Sequence, residues 1–339
     1  MHVHGDNLRQ KETSDTKYAD AESRRFLKEI RKEYDCWQKA NEALKGPARN
    51  PTAGDTEIIR QRTALFVTYK DFIDQQKYAE KFDSRSNLHS SVLEEFMYYL
   101  FRDLVRSFAA AALIGKAHTF KDIFFTPPNY EGMITLPHTR VEKKDHDFAI
   151  GVTITARMKC QAQELEETHQ FQIPAVAIEC KTYLDKTMLE GASTAAEQLK
   201  TRNPNALYLV VSEWLKLTEN VNLRKFKVDQ IYVLRKQKNT DREFRYLPEY
   251  EKNPIYVEVV EHLFNTVRRI SSPIGKAASP TVWSGAFSCE CLQCHLQASA
   301  GGQAARVDAQ AARGHGRFGK GHATKRRHRH RPANRCAGL

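Results

Sequence analysis

Phe171-Gln172-Ile173-Pro174-Ala175-Val176-Ala177-Ile178-Glu179-Cys180-Lys181 is the stretch on which the fold turns. Val176, Ile178 and Cys180 fall on one side of its alternation and Ala175, Ala177, Glu179 and Lys181 on the other, the period of a strand. Its end carries two opposite charges on one face, and an apolar strand needs a reason to keep them. Upstream, residues 146–154 alternate as well, with His146, Phe148, Ile150, Val152 and Ile154 opposite Asp147, Ala149, Gly151 and Thr153. The acidic segment Gln161 to Thr168 between them reads as a loop, so the two strands are predicted to form an antiparallel hairpin. If their small-residue faces coincide, Asp147, Glu179 and Lys181 converge over a floor that leaves space for an ion and a phosphate. Carboxylates at close quarters repel unless a cation lies between them, and Mg²⁺ accepts one or two carboxylates together with water and phosphate oxygens.

Outward from the hairpin, the pattern alternates between helix and strand. Residues 20–45 and 55–80 read as amphipathic helices separated by the breaker segment Gly46 to Gly54. A third helix is predicted from Asn87 to Ala112, with Val92, Leu93, Phe96, Met97, Leu100, Phe101, Leu104, Val105 and Phe108 on one face and Ser91 with Glu94 as a capping box. After the hairpin, Thr187 and Glu190 open a helix with the stripe Met188, Ala192, Ala195 and Leu199. Strands Ala206 to Val211 and Val228 to Leu234 follow, and Asn253 with Pro254 starts a last helix ending at Ile270. The order predicts a mixed α/β fold: a helical region over 1–83 and a domain over 84–270 with a mixed central sheet flanked by helices.

The 339 residues are 41% hydrophobic and 28% charged, within the range of globular proteins, and no run of about 18 apolar residues suggests a membrane span. The first thirty residues lack an apolar signal-peptide core, so a cytoplasmic protein without disulfides is expected. Of the formal net charge of +12, a surplus of nine sits in residues 271–339, where the apolar periodicity stops. That segment reads as a basic, disordered or non-native tail. Its Cys291-Leu292-Gln293-Cys294-His295 matches a c-type haem attachment pattern, and Cys289 nearby suggests zinc. Both are set aside for want of a folded context. Lys325 to Arg331 would bind any polyanion without specificity. Cys36, Cys160 and Cys180 read as buried thiols.

Asp147 followed by Glu179-Cys180-Lys181, on adjacent strands between helices, resembles the PD-(D/E)xK nuclease arrangement, with His146 in place of the proline. The runs Lys144 to Phe148, Ala177 to Gly191 and Val228 to Arg235 are similar to type II restriction endonucleases of the BbvCI and DdeI kind, over roughly residues 20–270. The resemblance implies a Mg²⁺-dependent endonuclease acting on double-stranded DNA at a short site, with an interrupted C-T-N-A-G type core. It also implies a homodimer, or a heterodimer with a related subunit, and a cognate DNA methyltransferase as functional partner. Asp147, Glu179 and Lys181 would be catalytic, and Asp147, Glu179 and the Cys180 backbone carbonyl would hold the metal. The alternatives are a PD-(D/E)xK nuclease of repair or recombination and a non-catalytic DNA-binding subunit.

Around this set, Asp145 shares a face with Asp147 and is the alternative ligand. By the helical step, Glu94 lies about 100° from the centre of its apolar face and Glu95 about 200°. Glu94 is thus either an added metal ligand or a cap, and Glu95 is expected to face water. Gln198 and Lys200 are candidates for phosphate contact or plain solvated positions.

Truncation after Ile270 is expected to leave a cooperatively melting protein with intact sequence-specific cleavage. Non-specific DNA affinity and its salt dependence should drop, because nine of the twelve surplus positive charges leave with the tail. Failure of the shortened chain to fold, read by thermal melting, would place the segment inside the working structure.

Overall fold

The computed structural model describes residues 2–270 except 83–86, 162, 219, 239, 241–246 and 248. The expectations for residues 271–339 lie outside the described residues. Five strands form one mixed sheet in the order β1 to β5: β1 Leu113–Phe125, β2 Thr139–Lys159, β3 Glu166–Leu184, β4 Leu207–Leu215 and β5 Gln230–Val233. β1, β2 and β3 run antiparallel to their neighbours, while β3, β4 and β5 are parallel. The first parallel connection passes through a helix, as a parallel pair requires.

The predicted hairpin is β2 with β3, paired from Phe148 and Ile178 out to Lys159 and Glu166. Its register slips between Ile150, opposite Val176, and Gly151, opposite Pro174. Ala175 is the extra residue of this bulge, and it is exposed while Ala177 is buried. A Cβ on Gly151 would lie 2.1 Å from the Ile173 carbonyl oxygen, so only glycine permits the close crossing. The buried core follows the hairpin only as far as Ile150 and Val176. Val152 and Ile154, expected on a covered apolar face, are therefore 52% and 36% exposed.

Both faces of the sheet are covered over its central strands. Phe148, Ile150, Val176, Ile178, Cys180, Leu209 and Val211 share a core with α2 (Ala21–Ala43), α3 (Asp55–Ile73), α5 (Leu88–Arg106) and α8 (Val257–Ile270), the remaining helices of the N-terminal part being α1 (Val3–Thr13) and α4 (Gln76–Lys81). On the other face Ala177, Tyr208, Val210 and Ile231 pack against α7 (Lys186–Arg202) through Leu189, Ala192, Ala195, Ala196 and Leu199. Alanines on both partners let this helix sit close to the sheet. A short α6 (Tyr130–Thr135) lies between β1 and β2.

Helix ends differ from the sequence reading. Asp185, not a Thr187–Glu190 box, caps α7 by accepting from Met188 N at 2.8 Å. α8 starts at Val257, because Asn253 is engaged with Gln237 and Lys236. α5 ends at Arg106 instead of Ala112, and the chain continues into the unexpected strand β1. It begins after Asn87, whose φ of 56° is left-handed, and the Ser91 hydroxyl bonds back to the Asn87 carbonyl inside the helix. The Ser91–Glu94 capping box is therefore not formed.

Glu95, expected to face water, is 0% exposed. Its Oε1 accepts from Tyr34 at 2.9 Å and Tyr99 at 3.1 Å, and its Oε2 from the backbone N–H groups of His4 at 2.8 Å and Gly5 at 3.2 Å. One carboxylate thus ties α1 and α2 to α5. The sequence reading failed here because a helix with a single apolar stripe has a wet back, whereas α5 is enclosed between the sheet and the N-terminal helices. Glu95→Ala strands several buried donors and is expected to cost about 3 kcal/mol or more of unfolding free energy in chemical denaturation. A loss under about 1 kcal/mol would show that water replaces the carboxylate without penalty.

Candidate active site

Asp147 stands where β2 parts from β3: the ladder's last pair is Phe148 with Ile178. Its carboxylate takes the place of the missing strand, and Oδ2 accepts from the Cys180 N–H at 2.9 Å. The N–H and C=O of one strand residue point to the same edge, so the Cys180 carbonyl faces this side too. Glu179 and Lys181 leave β3 on one face, as the alternation predicts. The Lys181 Nζ lies 3.1 Å from Asp147 Oδ2 and 2.7 Å from Glu179 Oε1, between the two carboxylates. The three side chains are 22–29% exposed, an electrostatically strong setting still open to a ligand.

Burial, then the charge of Glu179, raises the Asp147 carboxyl above its ordinary range against the pull of Lys181 and the Cys180 N–H. Burial works to lower Lys181, but Asp147 and Glu179 outweigh it and hold the ammonium above its usual value. Both partners of one ion pair therefore move upward, because a single ammonium serves two carboxylates. Glu94, on α5, adds a third: burial first, then Asp147, pushes its pKa up to about 7, against Lys116 and Lys181.

This surplus of negative charge calls for a cation, and the ammonium already between two carboxylates marks where one is favoured. Among the described residues no three His, Cys, Asp or Glu side chains are grouped to hold a metal by themselves. Two carboxylates and a backbone carbonyl do fit a hard ion that completes its shell with water and phosphate oxygens.

The other candidates fall outside this group. Asp145 is 71% exposed and pairs with His118 Nδ1 at 2.5 Å. Lys200 is held by Asp229 Oδ1 at 2.5 Å and the Lys227 carbonyl, and Gln198 lies beside it on α7. Cys180 is buried as expected, but Cys36 is exposed and Cys160 partly exposed. The sequence reading missed Tyr208, whose hydroxyl donates to Glu179 Oε2 at 3.2 Å. Its only signal was position, since Tyr208 and Ala177 are partners in the parallel ladder and so face the same way as Glu179.

The mixed five-strand sheet, enclosed by helices on both faces, is similar to restriction endonuclease structures. A solved structure described as the native BbvCI A2B2 tetramer at low resolution superimposes with a TM-score of 0.62 at 20% identity, over 82% of this chain and 99% of that one. The restriction endonuclease PspGI in complex with substrate DNA is also matched, at a TM-score of 0.26 and 12% identity over 72% and 90% of the two chains. No curated protein matches the sequence. The family model described as Bpu10I restriction endonuclease matches residues 85–285, and the chain belongs to that family of type II restriction endonucleases. Restriction endonucleases act on DNA and typically use divalent metal ions. No helix among the described residues is long and apolar enough to cross a membrane.

Glu94 gives the site a pH signature. With its folded pKa at about 7, above the ordinary 4.5, the folded protein binds more protons than the unfolded chain between those values. The Glu94 contribution to stability should therefore fall as pH rises through that window, opposite in sign to the contributions of His4, His146 and His262, whose pKa values burial lowers. In chelator, Glu94→Gln is expected to remove this contribution, so that the variant's stability falls less, or rises more, with pH than the parent's. Equal slopes in denaturation series from pH 5 to 8 would show that Glu94 titrates normally.

Proposed function

We propose that the chain is a Mg²⁺-dependent type II restriction endonuclease hydrolysing phosphodiester bonds of duplex DNA at a short specific site, with an interrupted C-T-N-A-G type core. The observation that carries this reading is the convergence of Asp147, Glu179 and Lys181 where β2 and β3 part, with an ammonium between two carboxylates. Asp147, Glu179 and the Cys180 carbonyl would hold the ion, with Glu94 beside them. Mg²⁺, when bound, polarises a phosphoryl oxygen and lowers the pKa of a bound water. Lys181, kept cationic by its two neighbours, stabilises negative charge developing on the phosphate rather than accepting a proton. Asp147 orients the Cys180 backbone and, with Glu179, fixes the Lys181 ammonium.

The proposal extends to assembly and context. The solved structure with the higher TM-score is described as an A2B2 tetramer, which supports a working form containing a second copy or a related subunit. A nuclease that cuts at a specific sequence requires protection of the host's own sites, the role of a cognate DNA methyltransferase, and the setting is the cytoplasm.

Asp147→Asn and Glu179→Gln are each expected to abolish plasmid cleavage in Mg²⁺, assayed with and without a candidate second subunit. Both should keep or improve duplex binding in chelator, since a charge that repels phosphate is gone. Lys181→Ala should keep fold and metal binding but lose on the order of a hundredfold in rate. Undiminished cleavage by Asp147→Asn or Glu179→Gln would remove the site from the mechanism.

A further inference from the structure

We propose that Tyr208 is a positioning residue: its phenol fixes the rotation of the Glu179 carboxylate so that Oε1 is presented to the metal ion. The inference rests on reading Glu179 as a metal ligand. Glu179 is held at both oxygens, Oε1 by Lys181 at 2.7 Å and Oε2 by the Tyr208 hydroxyl at 3.2 Å. Each carboxylate oxygen has two acceptor positions. The phenol occupies one on Oε2, and Oε1, engaged by the Lys181 ammonium at one position, keeps the other for an ion.

Tyr208 is itself rigidly placed. It is 0% exposed, and its ring meets the His146 imidazole edge-on at 5.7 Å between centroids. Its backbone is gripped on both sides of the peptide: the N–H donates to Asp229 Oδ2 at 2.6 Å, and the carbonyl accepts from Asp229 N at 2.9 Å. Asp229 is tied in turn to α7 through Lys200 Nζ at 2.5 Å. A chain of contacts thus runs from α7 through Asp229 and β4 to the Glu179 carboxylate. Setting a ligand's rotamer before the ion arrives removes the ordering cost from the binding step.

Tyr208→Phe removes the donor and keeps the ring. In the full-length protein the Mg²⁺ concentration for half-maximal cleavage should rise about tenfold, the size expected for losing a hydrogen bond to a charged group, while the rate at saturating Mg²⁺ falls less than about threefold. Binding of Mn²⁺ to the DNA-free protein, read from the resonance of the free ion, should weaken by a similar factor. An unchanged metal dependence in a variant that melts like the parent would overturn the proposal. Should Tyr208→Phe fail to fold, 3-fluorotyrosine in place of Tyr208 supplies the second test: its fluorine resonance should move when Mg²⁺ is added, and a resonance indifferent to Mg²⁺ also overturns it. Glu179→Gln separates the two levels. If that variant still cleaves, the metal site itself is misread. If it is inactive while Tyr208→Phe shows parental metal dependence, only the role of Tyr208 fails.

Discussion

A single ammonium between two carboxylates is the interaction on which the rest depends. Bringing Asp147, Glu179 and Lys181 together part-way out of water carries a desolvation cost that favourable pairing must offset, and the set leaves an excess negative charge. Such a cluster persists only where the surrounding fold over-determines it. Here the determination comes from β2 and β3, which separate at one residue, and from helices packed on both faces of the sheet. Asp147 takes over the hydrogen bond that β2 ceases to supply to Cys180, so the same divergence that opens the site also orders the Asp147 carboxylate.

α5 links the site to the N-terminal helices through two adjacent residues that face different ways. Glu95 is satisfied by hydrogen bonds from α1, α2 and its own helix, and this holds α5 in rotation about its axis. Glu94, one step of about 100° further round, is thereby turned toward Asp147 and Glu179. The N-terminal helices are thus part of what keeps the third acid beside the site, although none of their own side chains enters it.

What the sequence disclosed follows from how each feature is encoded. The hairpin, the helix after it and β4 were legible because alternation and the helical stripe are local, and Glu179 and Lys181 were legible as charges at an apolar strand's end. Asp147 was preferred to Asp145 for lying inside the alternation, and it is Asp147 that meets Glu179. β1 was hidden because Leu113 to Phe125 mixes Lys116, His118, Lys121 and Asp122 among its apolar residues and lies at the sheet edge. The bulge at Ala175 was invisible because the crossing that forces it is a contact between strands. Glu95 and Tyr208 were missed for one reason: each looks ordinary in its own segment, a polar helix residue and an aromatic in an apolar strand. Only tertiary neighbours give them work.

The charge balance bears on how substrate and ion reach the site. Residues 1–270 carry a surplus of only three positive charges, and the site itself is negative, with Glu94, Asp147 and Glu179 facing Lys181 and Lys116. A phosphate approaching this group without a cation meets repulsion that the near-neutral body does little to offset. On the proposed reading, an ion held by Asp147 and Glu179 would reverse that sign, and a phosphate oxygen would supply a donor beyond the two carboxylates and the carbonyl. In the proposed function each therefore raises the other's affinity by the same factor, as linkage requires.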